Sequence, residues 1–320
     1  MVIGKRNVLK SFGFLLLVLV IVLFAVFPFI QMLSTSLKYQ FDWGNPSLIP
    51  SKINLESYRE LLNIGQSGKE VPEAVKRVLA NPQLTAQQRK QILSKYQATG
   101  DVFPFLKYFR NSLVLSFTAA FFSLIVAVLG AYSFSRVRYR GRSVLQRGVL
   151  FVYMFGGILI LIPLYQLAVK SGLASTQVGT FFAMIVIYMV QTLPVSLYML
   201  GNYFRTIPFS IEEAAMIDGC TRLETIVRII VPLSVPALAT VFIYAFMIAW
   251  NEYLYASVFL KAYKELYTLP IGLKSLFVSK NAIWDRIMAG SMLTAVPVVV
   301  MFMLVQKNLA GGLTAGGVKY

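Results

Sequence analysis

Six charge-poor apolar runs, at about 12–37, 111–135, 149–170, 178–204, 233–259 and 287–306, constrain this chain more than any other feature. Each is long enough to cross a hydrocarbon layer about 30 Å thick. A lone strand in lipid would leave its backbone N–H and C=O groups unpaired, so each run has to be a helix. Only Glu252 puts an acidic charge inside one of them. With 57% hydrophobic residues and a mean hydropathy of +0.68, the chain is too apolar for a soluble globular domain. It reads as an all-α membrane protein with six transmembrane helices.

The same composition excludes several chemistries. There is no histidine, which rules out a serine–histidine triad or a histidine-ligated metal. The single cysteine, Cys220, allows no internal disulfide or thiolate cluster. The net charge of +17 invites a nucleic-acid partner, but the basic residues lie in short loops and form no single basic domain, so none is expected. Lys5, Arg6 and Lys10 resemble the start of a signal peptide. The apolar run behind them is too long and lacks an Ala-x-Ala exit, so it reads as an uncleaved first span.

Orientation follows from the short basic loops. Arg136, Arg138, Arg140, Arg142 and Arg147 occur in 136–147 with no acid, which places that loop in the cytoplasm. Six spans then put both termini and the 205–232 loop on the same side. Loop 260–286 disagrees mildly, because it is basic yet should lie outside. The chain divides into 1–37 (N-terminus and first span), an outer loop at 38–110, a membrane core at 111–309, and a tail at 310–320. Within the outer loop, Val71, Ala74, Val75, Val78 and Leu79 have helical spacing, and Thr85 with Gln88 forms a capping box, so a small helical cap is expected. Both outer loops are net positive, a field that attracts anions. An acidic ligand or acidic carrier protein is expected, with Lys274, Lys280 and Arg286 contributing.

Proline falls in five spans, at Pro28, Pro163, Pro194, Pro236 and Pro297, where it marks either packing geometry or a moving pathway. The second span instead repeats Ser123, Ala127, Ala131 and Ser135, a stripe that lets another helix approach closely.

The 205–232 loop carries its own helix signals. Ser210 is placed as an N-cap with Glu213 three residues on, and Glu212 and Glu213 favour the positive end of the helix dipole. Gly219 stops that helix, Thr221 with Glu224 starts another, and Pro232 ends it. The result is two short helices joined by a tight turn. Ala214, Ala215 and Ile217 give the first a small, partly apolar face that suits either a partner's groove or the membrane surface.

Glu213-Ala214-Ala215, three residues, Gly219, nine residues, Ile229, one residue, then Val231-Pro232 resembles the EAA loop of ATP-binding cassette importer permeases. Val231 replaces the usual leucine and Cys220 a common alanine. Six spans with this loop between the fourth and fifth, Trp250-Asn251-Glu252-Tyr253, and the tail Gly312 to Lys319 are similar to MalG-like carbohydrate permeases. The likeness leaves out 64–102, an insertion that, with the positive outer loops, suggests the alginate-importer branch.

The resemblance implies a type I importer permease fold with a small helical periplasmic insertion, in the bacterial inner membrane. It implies a second permease subunit, two ATPase subunits that bind ATP and Mg, and a periplasmic solute-binding protein. The chain itself would hold no cofactor and do no catalysis. Glu212, Glu213, Ala214, Ala215, Asp218, Gly219, Ile229 and Pro232 would couple to an ATPase, and Thr314, Gly316 and Gly317 of the tail would reach between the ATPases. An oligosaccharide needs aromatic platforms and hydrogen-bonding groups. Candidates are Tyr165, Gln166, Tyr188, Gln191, Tyr198, Tyr244, Trp250, Asn251 and Glu252, the last equally suited to packing or a hinge. An ion-coupled secondary transporter is the alternative, but one peripheral glutamate and no visible repeat argue against it.

Overall fold

A computed structural model describes residues 5–64, 103–154, 157–278 and 284–315. The expected helical cap, from Val71 to Leu79 and onward from Thr85, lies outside the described residues. Regular structure among the described residues is helical throughout: α1 (Lys5–Ser36), α2 (Glu56–Leu61), α3 (Phe105–Arg136), α4 (Arg142–Met154), α5 (Gly157–Lys170) and α6 (Gln177–Thr206). Next come α7 (Phe209–Ile217), α8 (Arg222–Leu233, which includes a π-helical turn), α9 (Val235–Trp250), α10 (Leu254–Phe259), α11 (Leu269–Val278) and α12 (Trp284–Ala315).

Four of these helices, α1, α3, α6 and α12, are long and apolar enough to cross a membrane, and the bent pair α8–α9 makes up to five. The expected third span is divided between α4 and the 14-residue α5. The expected fifth span ends at Trp250 and resumes as α10. Its break has a cause at Glu252, whose carboxylate accepts from the backbone N–H of Tyr255 (2.7 Å) and of Ala256 (3.0 Å) and so starts a new helix. Pro236 falls two residues after the 85° break between α8 and α9. It lies in the first turn of α9, where a missing N–H has no intrahelical partner to lose. Pro28, Pro163, Pro194 and Pro297 do lie inside helices.

The chain splits into two compact units, Met1–Leu106 with Leu273–Leu293, and Lys107–Gly272 with Thr294–Tyr320. In the first, the segment after α1 is held by buried polar groups. Lys38, 1% exposed, donates from Nζ to the carbonyls of Asn45 and Ser47, both at 2.7 Å. Asp285 accepts from Asn54 (3.3 Å) and from the Ser57 hydroxyl (2.5 Å), and Arg286 pairs with Glu60.

In the second unit α9 packs along α6, and two buried clusters lie along α3 and α6. One joins Leu115, Met184, Tyr188, Ala256 and Phe259. The other joins Ala127, Ala131, Tyr132, Phe204, Ile226 and Ile230. Lipid tails are as apolar as these side chains, so close packing rather than water exclusion holds such helices together. The small stripe of α3 serves that end: Ser123, Ala127 and Ala131 are fully buried. The Ser123 and Thr192 hydroxyls share a 2.8 Å hydrogen bond across the α3–α6 contact.

Candidate functional site

Between α6 and α9 the backbone makes the helix–turn–helix that the sequence signals, with two differences. The residue before α7 is Pro208, which supplies no side-chain cap, and Ser210 and Glu213 lie inside the helix, exposed. The Ser210 capping box is therefore not formed, because Ile207 and Pro208 are already extended and the helix starts one residue before Ser210. The end of α7 follows expectation. Gly219 has φ +89°, its N–H donates to Met216 O (3.1 Å), and Cys220 N–H reaches back to Ala215 O (3.0 Å). These bonds satisfy carbonyls that the helix end would leave orphaned.

Thr221 then caps α8. Its hydroxyl accepts from Glu224 N–H, and the Glu224 carboxylate accepts from Thr221 N–H at 2.9 Å. The carboxyl is held below its usual range, first by that backbone bond, then by the Thr221 hydroxyl and Arg228. Pro232 does not end α8. A π-helical turn over Ile226–Ile230 precedes it, and the wider turn relieves the clash between a proline ring and the carbonyl four residues back. The break falls at Ser234, where α8 and α9 meet at 85°.

The faces of α7 sort differently from the expectation. Glu212 and Ala215 are the buried residues of this helix, whereas Glu213, Ala214, Met216, Ile217 and Asp218 face outward, Ile217 at 85% exposure. Leu223 and Val227 of α8 are also exposed, and Ile229 is half-buried. Ala215 thus packs inward instead of completing the outward face with Ala214 and Ile217.

Glu212 is held by groups that sequence reasoning treated only as an orientation signal or passed over. Arg136 Nε lies 2.7 Å from Glu212 Oε1, an ion pair set off the hydrogen-bond line, with side-chain exposures of 10% and 0%. Tyr132 donates to Oε2 at 3.0 Å. The other end of the guanidinium donates to the carbonyls of Phe204 and Ile207, both at 2.6 Å, and Arg136 sits 5.7 Å from the Phe209 ring. Removing one partner of such a buried pair costs about 3–5 kcal/mol, because the other charge is stranded. The available signal was an arginine ending a long apolar helix four residues after a tyrosine.

The substrate candidates do not all meet. Gln191 and Tyr244 line one cleft of about 240 Å³ with Tyr153 and Tyr255, which sequence reasoning had not chosen. Tyr188 is not among the lining residues; it is buried and donates to Glu252 Oε2 at 3.0 Å. Trp250 is also buried, stacked on Phe246 and donating to Thr294 O at 3.3 Å, so it packs the core. Asn251 bonds its own helix at Met247 O. Tyr165 packs edge-on to Phe259, and Gln166 is exposed away from the cleft. Tyr198 lines a separate cleft of about 210 Å³ with Arg147, Asn202 and Arg205.

Arg286 is engaged by Glu60, so its charge is largely neutralised locally, and Lys280 lies outside the described residues. Helix α12 runs on through Thr314 to Ala315, and Gly316 and Gly317 lie outside the described residues.

Residues 119–313 match the family described as binding-protein-dependent transport system inner membrane component. The chain is 39% identical to the inner membrane ABC transporter permease protein YcjP of Escherichia coli K12, over 98% of this chain and 99% of that one. It is 32% identical to the maltose/maltodextrin transport system permease protein MalG of Yersinia pestis, over 100% and 97%. It also shares its fold with a chain of the crystal structure of a bacterial ABC transporter involved in the import of the acidic polysaccharide alginate. That match has a TM-score of 0.71 at 23% identity, covering 96% of this chain and 99% of the other.

Proposed function

The chain belongs to the family of binding-protein-dependent transport system inner membrane components, and on that premise we propose that it forms half of an oligosaccharide pathway driven by ATPases docked at α7–α8. It is a non-catalytic, multi-pass permease subunit of an ABC importer. Its partners in this reading are a second, non-identical permease, two ATPases that hold ATP and Mg, and a periplasmic binding protein that delivers the sugar. Both termini and the arginine-rich Arg136–Arg147 segment face the cytoplasm.

One observation carries the docking role. Met216, Ile217, Leu223 and Val227 are exposed apolar side chains on two short helices whose joint is locked by the Gly219 turn and the Thr221–Glu224 box. A rigid apolar patch on a short polar-capped loop is a protein-docking surface. Glu213, Ala214 and Asp218 lie on the same outward side, while Glu212, Ala215, Gly219 and Pro232 shape it. Thr314 and the tail beyond it reach toward the ATPases.

The cleft of Gln191, Tyr244, Tyr153 and Tyr255 supplies aromatic faces and an amide, and among the described residues no basic one lines it. That supports contact with the uncharged face of a sugar. An acidic oligosaccharide such as alginate is the second reading, favoured by exposed Lys261 and Lys264 in the α10–α11 connection. The test is ATP hydrolysis by the reconstituted assembly with binding protein loaded with a neutral malto-oligosaccharide or an alginate oligosaccharide. Stimulation by one class identifies the substrate. Uptake by this chain alone, without ATP, would overturn the reading.

A further inference from the structure

We propose that Arg136 is a positioning residue for α7: with Glu212 and Tyr132 it forms a buried joint that carries movement of the docked loop into α3 and α6. This rests on the docking role proposed above and adds the path by which force leaves the loop.

Helix α7 has nine residues, of which Glu212 and Ala215 are buried. Two inward residues, one of them an alanine, give little packing to set a helix's angle. The guanidinium supplies what packing does not. It is covalently part of the last turn of α3, donates to two carbonyls at the end of α6, and pairs with Glu212 of α7. Tyr132, one turn earlier on α3, takes the second Glu212 oxygen. Three helix ends thus meet at one planar group with several fixed donors, shielded from the water that loosens exposed ion pairs. Displacing α7 alone would strand both charges, so α3 and α6 move with it. The same geometry explains why Glu212 is an acid although it is turned away from any docked partner.

The experiment uses the full transporter in nanodiscs, comparing wild type with Arg136→Gln, Glu212→Gln, the double variant and Tyr132→Phe. Three quantities are read: co-purification of the ATPase, its contact with a cysteine at Ile217→Cys, and the ratio of hydrolysis with loaded binding protein to hydrolysis without it. The expected result is retained ATPase contact with that ratio lowered about tenfold in each single Gln variant, a size usual for coupling between sites. The double variant should lose no more than the worse single one, because the two charges act as a unit. Tyr132→Phe, which removes one hydrogen bond and keeps the pair, should lose less, and it carries the test if the charge variants fail to assemble. Wild-type ratios in Arg136→Gln or Tyr132→Phe, or losses that multiply in the double variant, overturn the joint. Absence of ATPase contact in the wild type would instead defeat the docking role.

Discussion

Replacing Gly219 tests whether the turn between α7 and α8 transmits force or merely links two helices. Its φ is +89°, and a Cβ built there meets nothing within 4 Å, so a side chain costs conformational energy and no clash. For alanine the left-handed region costs roughly 1–2 kcal/mol. That shifts the balance between formed and unformed turn by about 5–30-fold. Asparagine visits this region more readily and should cost less. Proline holds φ near −65° and removes the N–H that donates to Met216 O, a loss of about 3 kcal/mol or more. The assay is ATP hydrolysis stimulated by loaded binding protein in nanodiscs, with hydrogen exchange at the Cys220 amide as the local readout. Stimulation should fall in the order Gly, Asn, Ala, Pro, reaching the basal rate with proline while membrane insertion persists. Full stimulation in Gly219→Pro, or an asparagine variant weaker than the alanine one, would refute the reasoning.

Other perturbations reach other parts of the structure. Glu252→Ala uncaps two backbone N–H groups and frees Tyr188, so the thermal midpoint of the purified chain should drop by the equivalent of about 0.5–2 kcal/mol, with Glu252→Gln intermediate; an unchanged midpoint in both would show that the break is held by something else. Ala127→Leu forces extra volume into a fully buried position of the α3 stripe and should destabilise by about 1–3 kcal/mol, seen as a shifted aggregation profile on heating. Because the Glu224 carboxyl is depressed, its stabilising share is present above the unfolded carboxyl pKa and lost as pH falls through the folded one. Amide exchange across α8, corrected for intrinsic rate, should therefore stay flat from neutral pH to about pH 5 and rise below it. Gln191→Ala should raise the sugar concentration needed for half-maximal uptake without changing unstimulated hydrolysis, read from transport in proteoliposomes.

Local signals in the chain were legible where the physics is local. The stop at Gly219 and the restart at Thr221 depend on residues a few positions apart, and the structure forms both. Of the stripe Ser123, Ala127, Ala131 and Ser135, the first three are fully buried and Ser135 half-buried, so spacing was enough to announce a close helix contact. The Ser210 box failed because a competing local preference, the extended residues around Pro208, moved the helix start. The aromatic candidates scattered for another reason. Type and spacing say that Trp250 lies on a helix, but only its neighbours decide whether it faces a cleft or, as here, Phe246 and Thr294.

By itself the sequence determined that the chain is helical and membrane-bound, because unpaired backbone cannot exist in lipid, and that a capped turn interrupts the apolar runs before α9. Tertiary structure alone decided which glutamate of the pair at 212 and 213 turns inward, since that depends on an arginine 76 positions away in the chain (136 against 212) meeting it across three helix ends. Spacing can announce that a helix packs closely, as the α3 stripe does, but which two distant side chains then meet is set by the packing itself and leaves no trace in either segment read alone.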